Sequence, residues 1–206
     1  MPRPQSPDVR RALIDRAATL LARREPVTLA SLVKGCGVST MAVYTYFDGM
    51  PGLWSAVRQE GFTRLGDRLA TVRRGRDPVR NLAALGVGYV ENALANPDLY
   101  RVMFDSMFEV ADPASAAAGF EPLVEGTRRA QAAGRFDPAL DSYEVAMRYW
   151  ATGHGVTSLA VTGVLSCSEL LRHAPAAAVA IFVAAGDAPD RAQLSVAAAW
   201  RATTIV

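Results

Sequence analysis

The sequence predicts an all-α fold, with an N-terminal three-helix helix-turn-helix domain followed by a larger helical bundle. Three observations carry this expectation. Half of the 206 residues are hydrophobic but only 8% are aromatic, and Ala is abundant, a composition that suits packed helices better than sheets. Apolar residues recur at helical spacing between Gly and Pro punctuation, and no strand-like alternation runs longer than a few residues. Finally, residues 28–47, TLASLVKGCGVSTMAVYTYF, read as two short helices joined by a glycine-containing turn.

The elements follow in order. Ser6-Pro7-Asp8 opens a helix whose Val9, Leu13, Ala17, Leu20 and Leu21 keep helical spacing through Arg24, where Glu25-Pro26 stops it. Thr28 is placed to cap a second helix carrying Leu29, Leu32 and Val33. Gly35 and Gly37 bracket the turn, and Ser39 is placed to cap a third helix, Thr40 to Tyr46. Asp48-Gly49 makes a turn before a long helix that starts near Pro51 and runs to about Arg74, with Leu53, Trp54, Val57, Phe62, Leu65 and Leu69 inward. Gly75-Arg76-Asp77-Pro78 marks a boundary. Beyond it, helices are expected near 78–95, 97–109, 120–133, 138–162, 168–184 and 189–203, with 110–119 a loop or weak helix start. The division is therefore 1–47 as the helix-turn-helix domain, 48–77 as a connector helix and 78–206 as the larger body.

Charge separates the chain in the same way. Residues 1–76 hold 12 Arg and Lys34 against 6 acids, a net +7, whereas residues 77–206 hold 9 Arg against 14 acids, a net −5. A basic head with a helix sized for a major groove is what double-stranded DNA requires, because cations that neutralise phosphates release counterions. The ordinary alternatives are a helical hairpin in a core and a basic face that is merely solvated.

Other classes are disfavoured. Cys36 and Cys167 are far apart and form no CxxC pair, which fits free thiols in a reducing cytoplasm. His154 and His173 are the only histidines, and no metal-ligating cluster, nucleophile motif or phosphate-cradling glycine loop accompanies them. No metal, no cofactor and no enzymatic activity are expected. No targeting segment or bilayer-length apolar run is apparent, so a cytoplasmic location without membrane attachment is expected.

Two apolar faces in the body suit a ligand. Tyr143, Met147, Trp150 and His154 share one face of the 138–162 helix, and Tyr100, Met103, Phe104, Met107 and Phe108 form a stripe on the 97–109 helix. Methionine-rich walls adapt to varied shapes. The stripe reads first as plain core, and His154, between Gly153 and Gly155, serves packing or an interface at least as readily as it serves a ligand.

With the residues laid out, roughly the first 60 resemble the TetR family of bacterial transcription regulators. The matching pieces include Ala17 to Leu21, Val27-Thr28, Leu32, Gly37-Val38-Ser39, Val43-Tyr44, Tyr46-Phe47 and Leu53. Trp150 with His154-Gly155 resembles the tryptophan and histidine-glycine signature of one C-terminal subgroup. The resemblance implies a homodimer that reads a near-palindromic operator and responds to a small apolar or amphipathic effector, with repression as the default.

It also implies residue roles. Ser39 caps the recognition helix and Thr28 the supporting helix. Thr40, Met41 and Thr45 meet base edges or thymine methyls. Tyr44 binds a phosphate, and Tyr46 stands where His is frequent and reaches the backbone. Met50 departs from the family's usual Lys, which removes one phosphate contact that Arg3, Arg10, Arg11 or Arg58 could replace. That departure supports the alternative function, a helical small-molecule carrier or sequestering protein whose helix-turn-helix no longer reads DNA. A catalytic bundle using His154 and Glu144 is the third and remotest reading.

Overall fold

The computed structural model describes residues 6–104, 119–201 and 203, and among these only helices and turns occur. The helices are α1 (Pro7–Ala22), α2 (Leu29–Val33), α3 (Met41–Phe47), α4 (Met50–Ala70), α5 (Pro78–Ala95), α6 (Pro97–Met103), α7 (Glu121–Ala132), α8 (Ser142–Val161), α9 (Cys167–Ala184) and α10 (Pro189–Trp200). The all-α expectation holds. Met107, Phe108 and Glu109, like Arg3, lie outside the described residues.

The differences lie at helix ends. α1 stops at Ala22 rather than Arg24, because Arg24 takes a left-handed backbone (φ 56°) and Glu25 N–H donates back to Leu20 O at 2.9 Å. That wrapped end satisfies carbonyls the helix would leave open. α4 ends at Ala70 rather than near Arg74. α8 begins at Ser142, where the Asp141 carboxylate accepts the Tyr143 N–H at 2.7 Å. α3 begins at Met41 with Thr40 at the N-cap, so Ser39 stands one position further out than the sequence reading placed it. No side chain caps this helix, and the Ser39 carbonyl accepts from Ala42 N–H at 3.0 Å.

The chain divides into two compact units. The first comprises, among described residues, 6–64 and 96–104, and the second comprises 65–95, 119–201 and 203. In the first, Leu13, Ile14, Ala17, Leu20, Leu32, Val43, Phe47, Leu53 and Val57 close one core, joined by Leu99 and Val102 of α6. Arg64 ties this unit together, donating to Asp15 at 2.8 Å, Glu60 at 2.9 Å and Asn96 at 2.9 Å.

In the second unit, α5 is the central helix, packed on by α7, α8 and α10. Its core includes Val79, Leu82, Ala83, Val87, Leu123, Ala146, Tyr149, Phe182 and Val196. α5 and α8 approach closely at Gly86: a Cβ there would lie 2.1 Å from the Tyr149 hydroxyl, so only glycine fits. The apolar α9 is long and apolar enough to cross a membrane by length and composition alone, at 18 residues and mean hydropathy 1.3. Here it turns Leu170, Ala174, Ala178 and Phe182 into its own unit and carries Glu169, Arg172 and His173 in its first two turns.

A buried ionic clip fixes three segments of this unit. Arg135, which follows α7, forks onto Asp187 (2.7 and 2.6 Å) just before α10, and donates to Asp77 at 2.9 Å just before α5. Ser195 of α10 donates to the other Asp77 oxygen. Desolvation pushes the Asp77 carboxyl upward, but the Ser195 hydroxyl, the Arg80 and Val79 N–H groups and the Arg135 charge together hold it below its ordinary value. Stability from Asp77 is therefore present above the ordinary carboxyl range and is lost as pH falls through the lowered folded value. Breaking such a pair on one side strands a charge, whereas removing both sides does not. Arg135→Leu is expected to cost about 3–5 kcal/mol in denaturant unfolding, and Arg135→Leu with Asp187→Leu to recover only the part that comes from stranding Asp187, since Asp77 still loses its cation while keeping Ser195 and the Val79 and Arg80 N–H groups.

Candidate functional site

The geometry of the head follows from three local devices. Thr28 and Ser31 form a reciprocal cap on α2: Ser31 N–H donates to Thr28 Oγ1 at 3.1 Å, and Thr28 N–H donates to Ser31 Oγ at 2.8 Å. Gly35 (φ 86°) and Gly37 (φ 67°) then take left-handed conformations that reverse the chain between α2 and α3. At the far end of α3, Asp48 (φ 57°) and Gly49 (φ 102°) do the same before α4.

Within α3, Val43 and Phe47 are buried one helical turn apart. Ala42 and Tyr46 pack partly against the same core, and the opposite face of the helix meets solvent. Met41 is 64% exposed and Tyr44 51% exposed, and Ser39, Thr40 and Thr45 are also exposed. Thr45 Oγ1 donates back to Met41 O at 3.0 Å. Tyr46 is half-buried and its hydroxyl accepts the Ser6 N–H at 2.7 Å, so this side chain pins the start of α1. Arg10 lies over the Phe47 ring at 5.6 Å. Arg58, offered by the sequence as a replacement phosphate contact, donates instead to Met103 O at 2.9 Å within the same unit. Arg10, Arg11 and Lys34 are exposed, and Met50 is half-buried against the head core.

The sequence-picked ligand residues fall in different surroundings. Tyr100 and Met103 are buried in the first unit, where Tyr100 and Phe62 both meet Phe104 edge-on at 5.6 and 5.8 Å. Met103 packs at Gly61, where a Cβ would lie 2.7 Å from its own. In the second unit, Trp150 stacks on His154 at 5.4 Å, and Phe120 meets Trp150 and Tyr143 edge-on at 6.3 and 5.2 Å. Tyr143 is 50% exposed and Met147 is half-buried. His154 Nδ1 pairs with the Tyr89 hydroxyl at 2.8 Å, and burial lowers the imidazole below its ordinary value.

Two cavities open in the second unit. One, of about 630 Å³, is lined by α4, α5 and α7: Leu69, Val72, Leu82 and Leu85 give it apolar walls, and Arg74, Asn81, Glu125 and Arg129 add polar groups. The other, of about 40 Å³, is lined by Tyr89, Tyr149, Trp150 and Trp200 among others. Trp150 is the sequence-picked ligand residue that lines one of them. Tyr89 and Trp200 were not among the ligand residues picked from the sequence, and each carried no signal there beyond its place in an expected helix. Among the described residues, no group of three or more His, Cys, Asp or Glu side chains is placed to hold a metal ion.

A family model described as "Tetracyclin repressor-like, C-terminal domain" matches residues 82–185, half of the chain. The chain belongs to the TetR family. This TetR chain is also similar to several solved structures. A protein of unknown function from Rhodococcus sp. RHA1 matches with 25% identity over 98% of each chain (TM-score 0.64). RolR in complex with resorcinol matches with 20% identity over 91% of this chain and 92% of RolR (TM-score 0.58). The fatty acid degradation regulator FadR from Bacillus halodurans matches with 16% identity over 90% of this chain and all of FadR (TM-score 0.69). At these identities, the last two establish the fold. No curated protein matches by sequence.

Two outcomes test the geometry. Thr28→Ala removes one half of the α2 cap and is expected to lower stability by about 1 kcal/mol, read by thermal unfolding. The unfolded chain takes up a proton at His154 more readily than the folded one. Stability attributable to His154 is therefore present above its ordinary value of 6.5 and lost as pH falls from there through the lowered folded value. The pH dependence of unfolding is expected to be shallower for His154→Gln than for the native chain across that window.

Proposed function

We propose that this TetR-family regulator is a homodimeric repressor, released from a near-palindromic operator by a small apolar or amphipathic effector. The observation that carries the DNA half is the outward face of α3. Met41 and Tyr44 are large side chains left to solvent beside exposed Ser39, Thr40 and Thr45, on a head that is strongly cationic. A methionine and a tyrosine held in water on a short, well-anchored helix gain nothing for the fold. Thr40, Met41 and Thr45 are assigned to base edges and thymine methyls, and Tyr44, Thr28 and Ser39 to phosphate oxygens. Tyr46 contributes by holding α1 through Ser6.

On this reading, 1–47 reads DNA, 48–77 connects, and 78–206 binds effector and partner subunit. The Trp150, His154-Gly155 set assigns the body to the subgroup bearing that signature. One head makes few contacts, so two must reach successive major grooves about 34–36 Å apart. The large cavity and the Tyr143, Met147, Trp150 and His154 face form the effector region. α4 supplies the link: it bears Leu53 and Val57 of the head core at one end, and Gly66, Leu69 and Ala70 of the cavity wall at the other. Dimer contacts are assigned to α8 and α9, whose exposed Leu159, Ala176 and Ala180 await cover.

Fluorescence anisotropy against DNA upstream of the protein's own gene tests the reading. The native protein is expected to bind, with affinity falling steeply as salt rises. Tyr44→Phe with Thr40→Ala is expected to weaken binding by roughly tenfold or more, given about 0.5–1.5 kcal/mol per hydrogen bond lost. Absence of binding at every salt concentration would favour the sequestering protein instead.

A further inference from the structure

The larger cavity combines a hydrocarbon interior with a charged rim. Buried Leu69 and Leu82, with half-buried Val72, Pro78, Leu85 and Pro122, give its roughly 630 Å³ apolar walls. Exposed Ala70, Arg74 and Arg129 place its opening at the surface. Its charged lining residues are Arg74, Glu125 and Arg129, and Asn81 adds a neutral polar group. Asn81 is already engaged: its side-chain oxygen accepts the Gly75 N–H at 2.7 Å, and its amide nitrogen donates to Gly75 O at 2.8 Å. That clamp fixes the backbone next to Arg74 at the edge of the cavity.

The rim charges do not cancel. Arg129 Nε donates to one Glu125 oxygen at 2.9 Å, and Arg128 lies 3.9 Å from the other while meeting Glu121 at 3.3 Å. Two acids are thus answered by two arginines, and Arg74 is left over. It is exposed and makes no ion pair or hydrogen bond among the described residues, and the same holds for its neighbours Arg73 and Arg76. Arg129 engages Glu125 through Nε, which leaves its terminal nitrogens open. A cationic ligand would meet this guanidinium surplus with only an already paired Glu125 to answer it. A wholly apolar ligand would fill the walls and leave the rim unused. An amphipathic anion uses both, and a planar carboxylate matches the guanidinium fork. Held at an exposed rim, its charge need not be buried.

We infer that the larger cavity takes an apolar molecule ending in a carboxylate, with its hydrocarbon against Leu69, Leu82 and Leu85 and its carboxylate on Arg74 at the opening. The inference rests on the reading of this unit as effector-binding and names the effector's chemical class: ionised carboxylic acids on an apolar body.

Three probes with one chain length separate the possibilities: decanoate, 1-decanol and decyltrimethylammonium. Binding is measured by calorimetry on the full-length protein at low and moderate salt. Decanoate is expected to bind more tightly than the ammonium, and to weaken as salt rises while 1-decanol does not. Arg74→Gln changes an exposed side chain without a partner, so the fold is expected to persist. It should weaken decanoate about three- to fivefold, the value of one exposed ion pair, and leave 1-decanol unchanged. Ala70→Trp, which fills the opening, should weaken decanoate and 1-decanol alike. Equal effects of Arg74→Gln on decanoate and 1-decanol, ammonium binding as tight as decanoate, unchanged decanoate binding in Ala70→Trp, or no binding of decanoate would overturn the assignment. Operator release scores the effector reading separately. A compound that frees DNA from the native protein and from Arg74→Gln at the same concentration leaves that reading standing and removes the carboxylate anchor. Decanoate held through Arg74 on a protein that keeps its operator upholds the site and removes the effector reading.

Discussion

Everything about the head depends on how α3 spends its two apolar anchors. A seven-residue helix has little cooperativity of its own and is held by packing. Val43 and Phe47, one turn apart, fill the head core beside Leu32 and Leu53. With those two fixed inward, helical geometry leaves Met41, Tyr44 and Thr45 pointing elsewhere, and they meet solvent. The turn glycines and the left-handed Asp48 fix where the helix begins and ends, so the exposed face is presented on a rigid mount. The same packing that folds the head thus creates the exposed face proposed to read DNA.

The body solves a different problem. Its central α5 is crowded on one side, where Gly86 admits the Tyr149 hydroxyl, and borders the larger cavity on another, at Asn81, Leu82 and Leu85. A body built to carry a cavity needs rigidity from elsewhere, and the Arg135 clip supplies it. It locks the starts of α5 and α10 to the end of α7 with charged hydrogen bonds that tolerate little displacement. Close packing, an ionic clip and a large chamber in one unit suit a protein whose body must hold its shape around a guest.

Helix existence was legible throughout, because Pro at first turns, Asn or Asp caps and glycine stops are local signals that tertiary context did not override. The interval 78–95 is matched residue for residue by α5, bounded by Asp77-Pro78 and Asn96-Pro97. Helix ends were less legible. Nothing in Arg24 announces a left-handed residue, since Gly or Asn is the usual choice there. On α3 the outward roles of Thr40, Met41 and Tyr44 came from the TetR resemblance and not from periodicity, which seven residues are too few to display. The clip was not: Asp77, Arg135, Asp187 and Ser195 are far apart in sequence and share no motif, and only the fold brings them together. Arg58 shows the converse, a cation that looked available in sequence and is engaged by a backbone carbonyl in the structure. The stripe expected on the 97–109 helix read first as core, and Tyr100 and Met103 are indeed buried, but periodicity alone does not separate a core from an apolar cavity wall.

The central claim is that the exposed face of α3, presented twice by a dimer, reads DNA. Hydroxyl-radical footprinting of the purified protein on the DNA upstream of its gene tests this most directly. The account predicts two protected patches on one side of the duplex, related by approximate two-fold symmetry and about one helical turn apart, or a multiple of it. Uniform weak protection across the fragment, or protection confined to a single patch with no symmetry mate, would contradict it.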